Sequence, residues 1–238
     1  METILEVKDV VKNFGGFTAL SAVNLAVAPG ERLGLIGPNG SGKTTLISCI
    51  SGALVNDGGS IRFNGEEVSK LNANERTRRG IARSFQIPRP FASMTVLENL
   101  LVPLAYVCGI HGAKADTEAM TILEGMGLAD KAQTSSSQLS QVELRKLELA
   151  RAMAAKPKLL ISDEAMAGLA GAEVDEVLKI LFELNALGIT IIMIEHIMQA
   201  VMSFSQRVVC LDAGQIICEG TPDVIVTNPQ VQRAYLGD

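Results

Sequence analysis

The stretch Gly37-Pro38-Asn39-Gly40-Ser41-Gly42-Lys43-Thr44-Thr45 fits the pattern GxxxxGK[ST] in full. It follows an apolar run at residues 32–36, which predicts a buried strand, and leads into residues 44–50, which predict a helix ended by Gly52. The glycines allow successive backbone amides to turn inward around a polyphosphate, and the start of the helix adds partial positive charge. Lys43 is expected against the β- and γ-phosphates, with the Thr44 hydroxyl at a magnesium position. Strand, loop and helix together predict a nucleotide phosphate site.

Length and composition limit the other functions that the chain could have. The 238 residues can form a full core, and 47% of them are hydrophobic, so part of the surface is expected to be covered by a partner. The longest apolar runs are too interrupted to span a bilayer, and we see no leader that suggests export. A net charge of −5 argues against a nucleic-acid surface. Four scattered cysteines and two histidines are too few for a zinc site and fit reduced thiols in the cytosol.

Two further apolar runs end in residues that bear on chemistry. Residues 159–162 lead into Asp163-Glu164, and residues 189–194 lead into Glu195-His196. Because the carboxyl ends of parallel strands line the ligand crevice, both ends should face the phosphates. Asp163 is then placed to hold magnesium, and Glu164 to orient or deprotonate the hydrolytic water. The alternatives are a helix-capping role for the acids and a structural role for His196, which could otherwise contact the γ-phosphate.

Other stretches predict the surroundings of this core. Alternating residues at 4–7 and 22–27, an Asn64-Gly65 hairpin and a closing hairpin over 208–218 indicate an antiparallel β subdomain and a sheet edge. Phe14 and Phe17 flank Gly15-Gly16 as an aromatic pair on which a base could stack; the alternative is a core phenylalanine in a small sheet. The glycine-interrupted segment 88–140 indicates an inserted α-helical subdomain. The predicted fold is therefore α/β, with a P-loop NTPase core of RecA-like type (1–87 and 141–238).

Polar residues near the insertion have open interpretations. Gln86 sits at the junction between core and helical segment, where a glutamine can bind magnesium and water; the alternative is an ordinary surface glutamine. A group of arginines before it is interpreted as a solvated helix face rather than a basic binding patch. Its members are Arg76, Arg78, Arg79 and Arg83.

The order of these parts resembles the ATP-binding-cassette ATPases along nearly the whole chain. The stretches 83–86, 89–91, 94–100 and 234–237 are similar to those of the ATPase subunits of branched-chain amino acid importers. The resemblance implies ATP and Mg²⁺ as cofactors, Phe14 stacking on adenine, and catalytic roles for Lys43, Gln86, Glu164 and His196, with Gln86 coupling the ATP state to the membrane subunits.

The same resemblance implies the partners of the chain and its location in the cell. They are integral membrane permease subunits, a second cassette and, indirectly, a solute-binding protein, with no nucleic acid, at the cytoplasmic face of the cell membrane. The cargo would be branched-chain or other amino acids, or amide-like solutes. Two rival classes are a soluble cassette acting on ribosomes or nucleic acid and an unrelated phosphate-loop kinase or GTPase. The first class usually has two cassettes in one chain or a long coiled-coil insertion, whereas this chain has one phosphate loop and no heptad tract. The second class leaves His196 unexplained.

Departures from the family pattern point to an asymmetric pair. Where the family has Leu-Ser-Gly-Gly-Gln, this chain has Leu139-Ser140-Gln141-Val142-Glu143, and Ala165 and Ala170 replace a proline and an Asp or Asn. Val142 restricts the backbone and Glu143 puts negative charge where the partner's phosphate should approach. Apart from the missing proline, the altered residues act on the partner's nucleotide, which predicts a heterodimer. The competing account is a tolerated variant in a homodimer.

Overall fold

A computed structural model describes residues 3–84 and 88–236 as two β-sheets with helices around them. The smaller sheet has the order β2-β1-β4-β5 and is antiparallel. The larger has the order β10-β9-β3-β8-β7-β6, with only the β9–β10 pair antiparallel. The strands are β1 (Leu5–Phe14), β2 (Phe17–Val27), β3 (Arg32–Ile36), β4 (Gly58–Phe63), β5 (Glu66–Glu67), β6 (Ile81–Ser84), β7 (Leu159–Asp163), β8 (Thr190–Ile194), β9 (Arg207–Asp212) and β10 (Gln215–Gly220).

The helices connect and cover the larger sheet. They are α1 (Lys43–Ser51), α2 (Ala73–Arg79), α3 (Val96–Tyr106), α4 (Ala113–Gly125), α5 (Gln141–Ala154), α6 (Gly171–Ala186), α7 (Met198–Phe204), α8 (Pro222–Thr227) and α9 (Pro229–Leu236). The mixture of parallel and antiparallel strands with helices confirms the predicted α/β class. No helix in the described part of the chain combines the length and apolar character needed for a membrane span.

Two hydrophobic clusters hold these layers together. One lies between the two sheets and includes Leu5, Leu33 and Ile61. The other covers the opposite face of the larger sheet and continues into α3, α4 and α5 through residues such as Leu100 and Leu147. Strands β7 and β8 are buried along their whole length, which explains why their sequences are apolar runs rather than alternating patterns.

The first hairpin is longer than the alternation predicted. Strands β1 and β2 continue to a tight turn at Gly15-Gly16, instead of covering only 4–7 and 22–27. Asp9 and Ala22 have φ of 50°, and the pairing register shifts beside them. Such bulges break the period of two on which the prediction relied.

The arginine group is not one solvated helix face. Arg76 is fully buried, and its guanidinium donates to the carbonyl oxygens of Cys49 (2.5 Å) and Ile50 (2.9 Å) near the end of α1. These carbonyls lie in the last turn of a helix, where intrahelical donors are lacking. Arg83 pairs with Asp163 in the site described below. The prediction was therefore wrong for Arg76 and Arg83.

Candidate active site

The phosphate loop lies between β3 and α1, as the motif predicts. Gly42 precedes α1 with φ of 106°, and no side chain caps the helix, so its first amides are available to an anion. The Ser41 hydroxyl is buried and has no hydrogen-bond partner among the described residues. An uncapped helix start beside a buried hydroxyl is suited to the oxygen atoms of a phosphate chain.

Lys43 is folded back onto its own loop. Its Nζ donates to the carbonyl oxygens of Gly37 (2.7 Å) and Pro38 (3.0 Å), and the residue is buried. Burial lowers the pKa of Lys43, and the acids Glu164 and Asp163 act in the opposite direction. The ammonium group is therefore held by weak neutral acceptors, from which a charged phosphate can draw it.

The tips of β7 and β8 come together. Glu164 has φ of 49°, and its amide donates to the carbonyl of Ile194 at the end of β8 (2.8 Å). One oxygen of its carboxylate lies 2.9 Å from Nε2 of His196. The structure thus joins the two residues as a carboxylate–imidazole pair, an arrangement that can hold and polarise a water molecule.

Asp163 has a partner that the sequence did not reveal. Its carboxylate accepts from Nη2 (2.5 Å) and Nε (3.2 Å) of Arg83, which lies on β6. Both side chains are mostly buried. The motif pattern placed Asp163 by itself, whereas the strand order β8-β7-β6 brings in an arginine 80 residues away.

A pocket of about 290 Å³ lies beside the phosphate loop, and Asp163 is not among the residues that line it. Its walls are the loop from Asn39 to Thr45, the pair Glu164 and His196, and the aromatic rings of Phe14 and Phe17. Gly37 and Pro38 do not line it and act instead as acceptors for Lys43. Gln86 lies outside the described residues. Phe17, the second ring of the predicted aromatic pair, lines the same pocket, although only Phe14 was assigned to the adenine.

Glu195 follows β8 directly, where the sequence predicted side chains that face the phosphates, but unlike His196 it does not line the pocket. The carboxylate is almost fully buried and accepts a hydrogen bond of 2.8 Å from the amide of Met166, just after Glu164. Burial, together with the nearby Glu164, raises the pKa of Glu195 to about 7, although the hydrogen bond from Met166 acts to lower it. It braces the turn that carries Glu164.

The start of α5, Ser140 to Glu143, is closed by its own side chains. The Ser140 hydroxyl accepts from the amide of Glu143 (3.4 Å), and the Glu143 carboxylate accepts from the amide of Ser140 (2.8 Å). Glu143 also forms an ion pair with Lys131. The lysine and these hydrogen bonds lower the pKa of Glu143 to about 2, so this carboxylate is charged at neutral pH.

Comparison with known proteins agrees with this geometry. The family model described as ABC transporter matches residues 20–167, and one described as branched-chain amino acid ATP-binding cassette transporter matches residues 215–238. The high-affinity branched-chain amino acid transport ATP-binding protein BraF of Pseudomonas aeruginosa is 38% identical over 99% of this chain and 98% of its own length.

Solved structures give the same result. A crystal structure of the ADP conformation of an ATP-binding cassette of an ABC transporter superimposes with a TM-score of 0.92 at 32% identity, covering 100% of both chains. A dimeric cassette in a post-hydrolysis state, bound to ADP and Pi, has a TM-score of 0.83 at 25% identity, covering 92% of this chain and 98% of its own. The chain therefore belongs to the ABC transporter family and is one of its ATP-binding cassettes, the ATPases that are coupled to transport.

Proposed function

We propose that this chain hydrolyses ATP at its own phosphate loop to power a membrane importer of branched-chain amino acids or related small polar solutes. The observation that carries the catalytic part is the Glu164–His196 pair, which faces the phosphate loop across one pocket. The substrate class is supported by the name of the relative BraF and by the family model that matches residues 215–238.

The residues of the site divide the work of phosphoryl transfer. Lys43 exchanges the carbonyl oxygens of its loop for phosphate oxygens of ATP. The uncapped amides at the start of α1 bind the other phosphate groups of the nucleotide. Glu164 orients the attacking water and takes its proton, while His196 keeps the carboxylate in place. Phe14, about half exposed at the pocket mouth, offers its ring to the adenine.

The donor set also fits Mg²⁺. Thr44 and Asp163 supply a hydroxyl and a carboxylate, the hard oxygen ligands that this ion prefers, and Mg²⁺ needs only one or two protein ligands beside phosphate and water. When bound, the ion neutralises phosphate charge. For Asp163 to serve as a ligand its contact with Arg83 must loosen, so the arginine acts as a counter-charge until then. Gln86 remains a proposed ligand.

A test of the catalytic proposal removes one charge at a time. Glu164→Gln should abolish ATP turnover while ATP binding persists, because the amide keeps the shape but cannot accept the proton. Glu124→Gln, at an exposed position on α4, is the matched control and should hydrolyse ATP normally. Turnover by Glu164→Gln at the normal rate would overturn the assignment.

We place the permease contact in an apolar groove of about 320 Å³ at the edge of the proposed helical subdomain (88–140). Phe91 lines it together with Val102 and Pro103 of α3, and Ala73 and Thr77 of α2 line it as well. A chain that makes this contact is peripheral to the membrane, and we propose that it lies at the cytoplasmic face. Co-expression with the membrane subunits and a solute-binding protein, followed by uptake of radiolabelled leucine into vesicles, tests both the contact and the cargo. Val102→Glu should prevent co-purification without changing ATP binding.

The closed start of α5 supports an asymmetric heterodimer. In a head-to-tail pair, each helix start of this kind meets the nucleotide of the other chain. Here the charged Glu143 already occupies that helix start, and a phosphate charge about 5 Å from it would be repelled by roughly 3 kcal/mol at an effective dielectric of 20. Lys131 offsets part of this repulsion. Ala170, at the start of α6, lacks the oxygen with which an Asp or Asn would reach across.

Two experiments distinguish the heterodimer from the homodimer. The triple variant Gln141→Gly, Val142→Gly, Glu143→Gln should raise turnover at the partner's site, since glutamine keeps the cap on Ser140 but removes the charge. Unchanged turnover at that site would argue against the idea. The purified Glu164→Gln chain alone with ATP should stay monomeric; a stable self-dimer with two bound ATP molecules would favour the homodimer.

A further inference from the structure

Gly37, the first residue of the phosphate loop, is fixed from three directions. A Cβ added there would lie 2.0 Å from the carbonyl oxygen of Leu211 at the end of β9, and 2.7 Å from Oγ of Ser41. The carbonyl of Gly37 accepts from Lys43, and its amide donates to the phenol oxygen of Tyr235 at 2.7 Å. Both hydrogen-bonding groups of this glycine are therefore used, and Gly37 itself does not line the nucleotide pocket.

The phenol comes from the far end of the chain. Tyr235 lies 198 residues after Gly37, on the C-terminal helix α9. Asn228 caps the start of α9 by accepting from the amide of Gln230 (2.8 Å), and its own amide group donates to Sγ of Cys218 on β10 (3.1 Å). Val231 packs into the hydrophobic cluster that covers the larger sheet. The helix is thus anchored independently of Tyr235, and the phenol spans from an anchored helix to the loop.

We propose that Tyr235 is a positioning residue for nucleotide binding: its hydroxyl holds the Gly37 amide and so keeps the phosphate loop in its binding shape. This positioning role is assigned to α9, none of whose residues lines the nucleotide pocket. Tyr235 is not among the residues that line the pocket, so its effect must pass through the loop.

Loss of this hydrogen bond should weaken nucleotide binding rather than the chemical step. Without the phenol oxygen, the Gly37 amide loses its hydrogen-bond partner, and the loop can relax away from the conformation in which the uncapped amides at the start of α1 are arranged for phosphate. One net hydrogen bond corresponds to about a 5- to 10-fold change in affinity. ATP and ADP should be affected alike because the loop contacts phosphates that both carry. KM should rise while kcat at saturating ATP changes by less than about twofold.

The chain contains two tyrosines, so the same Tyr→Phe substitution can be made at the proposed site and at a control site. Tyr235→Phe removes the hydroxyl and keeps the ring; Tyr106→Phe makes the same change on α3, at a residue that is mostly exposed. Binding of N-methylanthraniloyl-ADP to the full chain is followed by fluorescence, and ATP is measured by competition. Tyr235→Phe should raise both dissociation constants about 5- to 10-fold, whereas Tyr106→Phe should leave them at the wild-type values. Dissociation constants within about twofold of wild type in Tyr235→Phe would overturn the proposal.

Two measurements separate positioning from a general loss of stability. Hydrogen exchange of the peptide that contains Gly37 should become faster in Tyr235→Phe without nucleotide, and unchanged exchange would also overturn the proposal. Val96→Ala, at a fully buried residue of α3 far from the loop, destabilises the chain without touching Gly37. It should lower the melting temperature and leave nucleotide affinity unchanged. An equal loss of affinity in Val96→Ala would show that the effect of Tyr235→Phe is only general destabilisation.

Discussion

Replacing Glu195 by glutamine should change the pH dependence of stability in a defined direction. The carboxylate is 3% exposed and accepts a hydrogen bond from the amide of Met166, at 2.8 Å. Among the titratable groups near it, Glu164 raises the pKa of Glu195 and His196 lowers it, and Glu195 in turn acts on the guanidinium of Arg145. A glutamine keeps the volume and the acceptor oxygen, so the substitution removes the titration with little change in packing.

The magnitude follows from the pKa of Glu195. The folded protein holds this pKa at about 7 against an ordinary value of 4.5, chiefly because of burial. A group with a raised folded pKa contributes stability that is fully present below 4.5 and is lost as the pH rises through 7. The difference of about 2.5 pKa units corresponds to roughly 3 kcal/mol at 1.36 kcal/mol per unit. Relative to wild type, Glu195→Gln should therefore gain about 2–3 kcal/mol between pH 5 and pH 8.

Urea unfolding at the two pH values measures this gain. Wild type, Glu195→Gln and the exposed control Glu124→Gln are compared without nucleotide, and the free energy of unfolding is taken from the linear extrapolation. The control should follow wild type at both pH values. If the stability difference between Glu195→Gln and wild type were the same at pH 5 and pH 8, the buried carboxylate would not be the group that titrates, and the reasoning would be refuted.

Three further outcomes follow from the site. Gly37→Ala should lower the free energy of unfolding in urea by at least about 3 kcal/mol, because its Cβ would overlap a carbonyl oxygen at 2.0 Å. Gly40→Ala, with no atom within 4 Å of the added Cβ, should lower it by only about 1 kcal/mol because of its positive φ. Equal losses in the two variants would contradict this. Phe14→Leu should weaken ATP binding about 10-fold, as loss of a stacking ring does, and unaltered affinity in a competition assay would rule out stacking. Arg83→Met should destabilise the folded protein by about 3 kcal/mol, because it removes the ion-pair partner of the buried Asp163 carboxylate. Adding Asp163→Asn should recover most of that loss in the same unfolding assay. Strictly additive effects in the double variant would contradict this.

Features set by neighbouring residues were predictable from the sequence. The phosphate loop lies between a strand and a helix because its glycines, its apolar run and its helix stop are consecutive in the chain. Glu164 and His196 meet because parallel strands end at the same edge, whatever the details of packing. The closing hairpin predicted over 208–218 is present as β9 and β10, with φ above zero at both Ala213 and Gly214 of its turn.

Features set by strand order and burial were not predictable in the same way. The partner of Asp163 depends on β6 lying beside β7, and the burial of Arg76 depends on α2 packing over the end of α1. A polar sequence pattern cannot distinguish an exposed arginine from one that satisfies buried carbonyls. The closure of α5 is a different case, because a serine followed three residues later by a glutamate is a capping-box pattern that the sequence alone displays.

The supports of the phosphate loop come from late parts of the chain, and this has a consequence for biosynthesis. The carbonyl of Leu211 confines Gly37, the amide of Gly214 donates to the carbonyl of Ser41 (2.9 Å), and the phenol of Tyr235 holds the Gly37 amide. A ribosome releases residues 37–45 long before any of these. The nascent polypeptide therefore carries its nucleotide motif without these contacts until residues 211–235 have been synthesised, and the phosphate loop can take its supported shape only after that point.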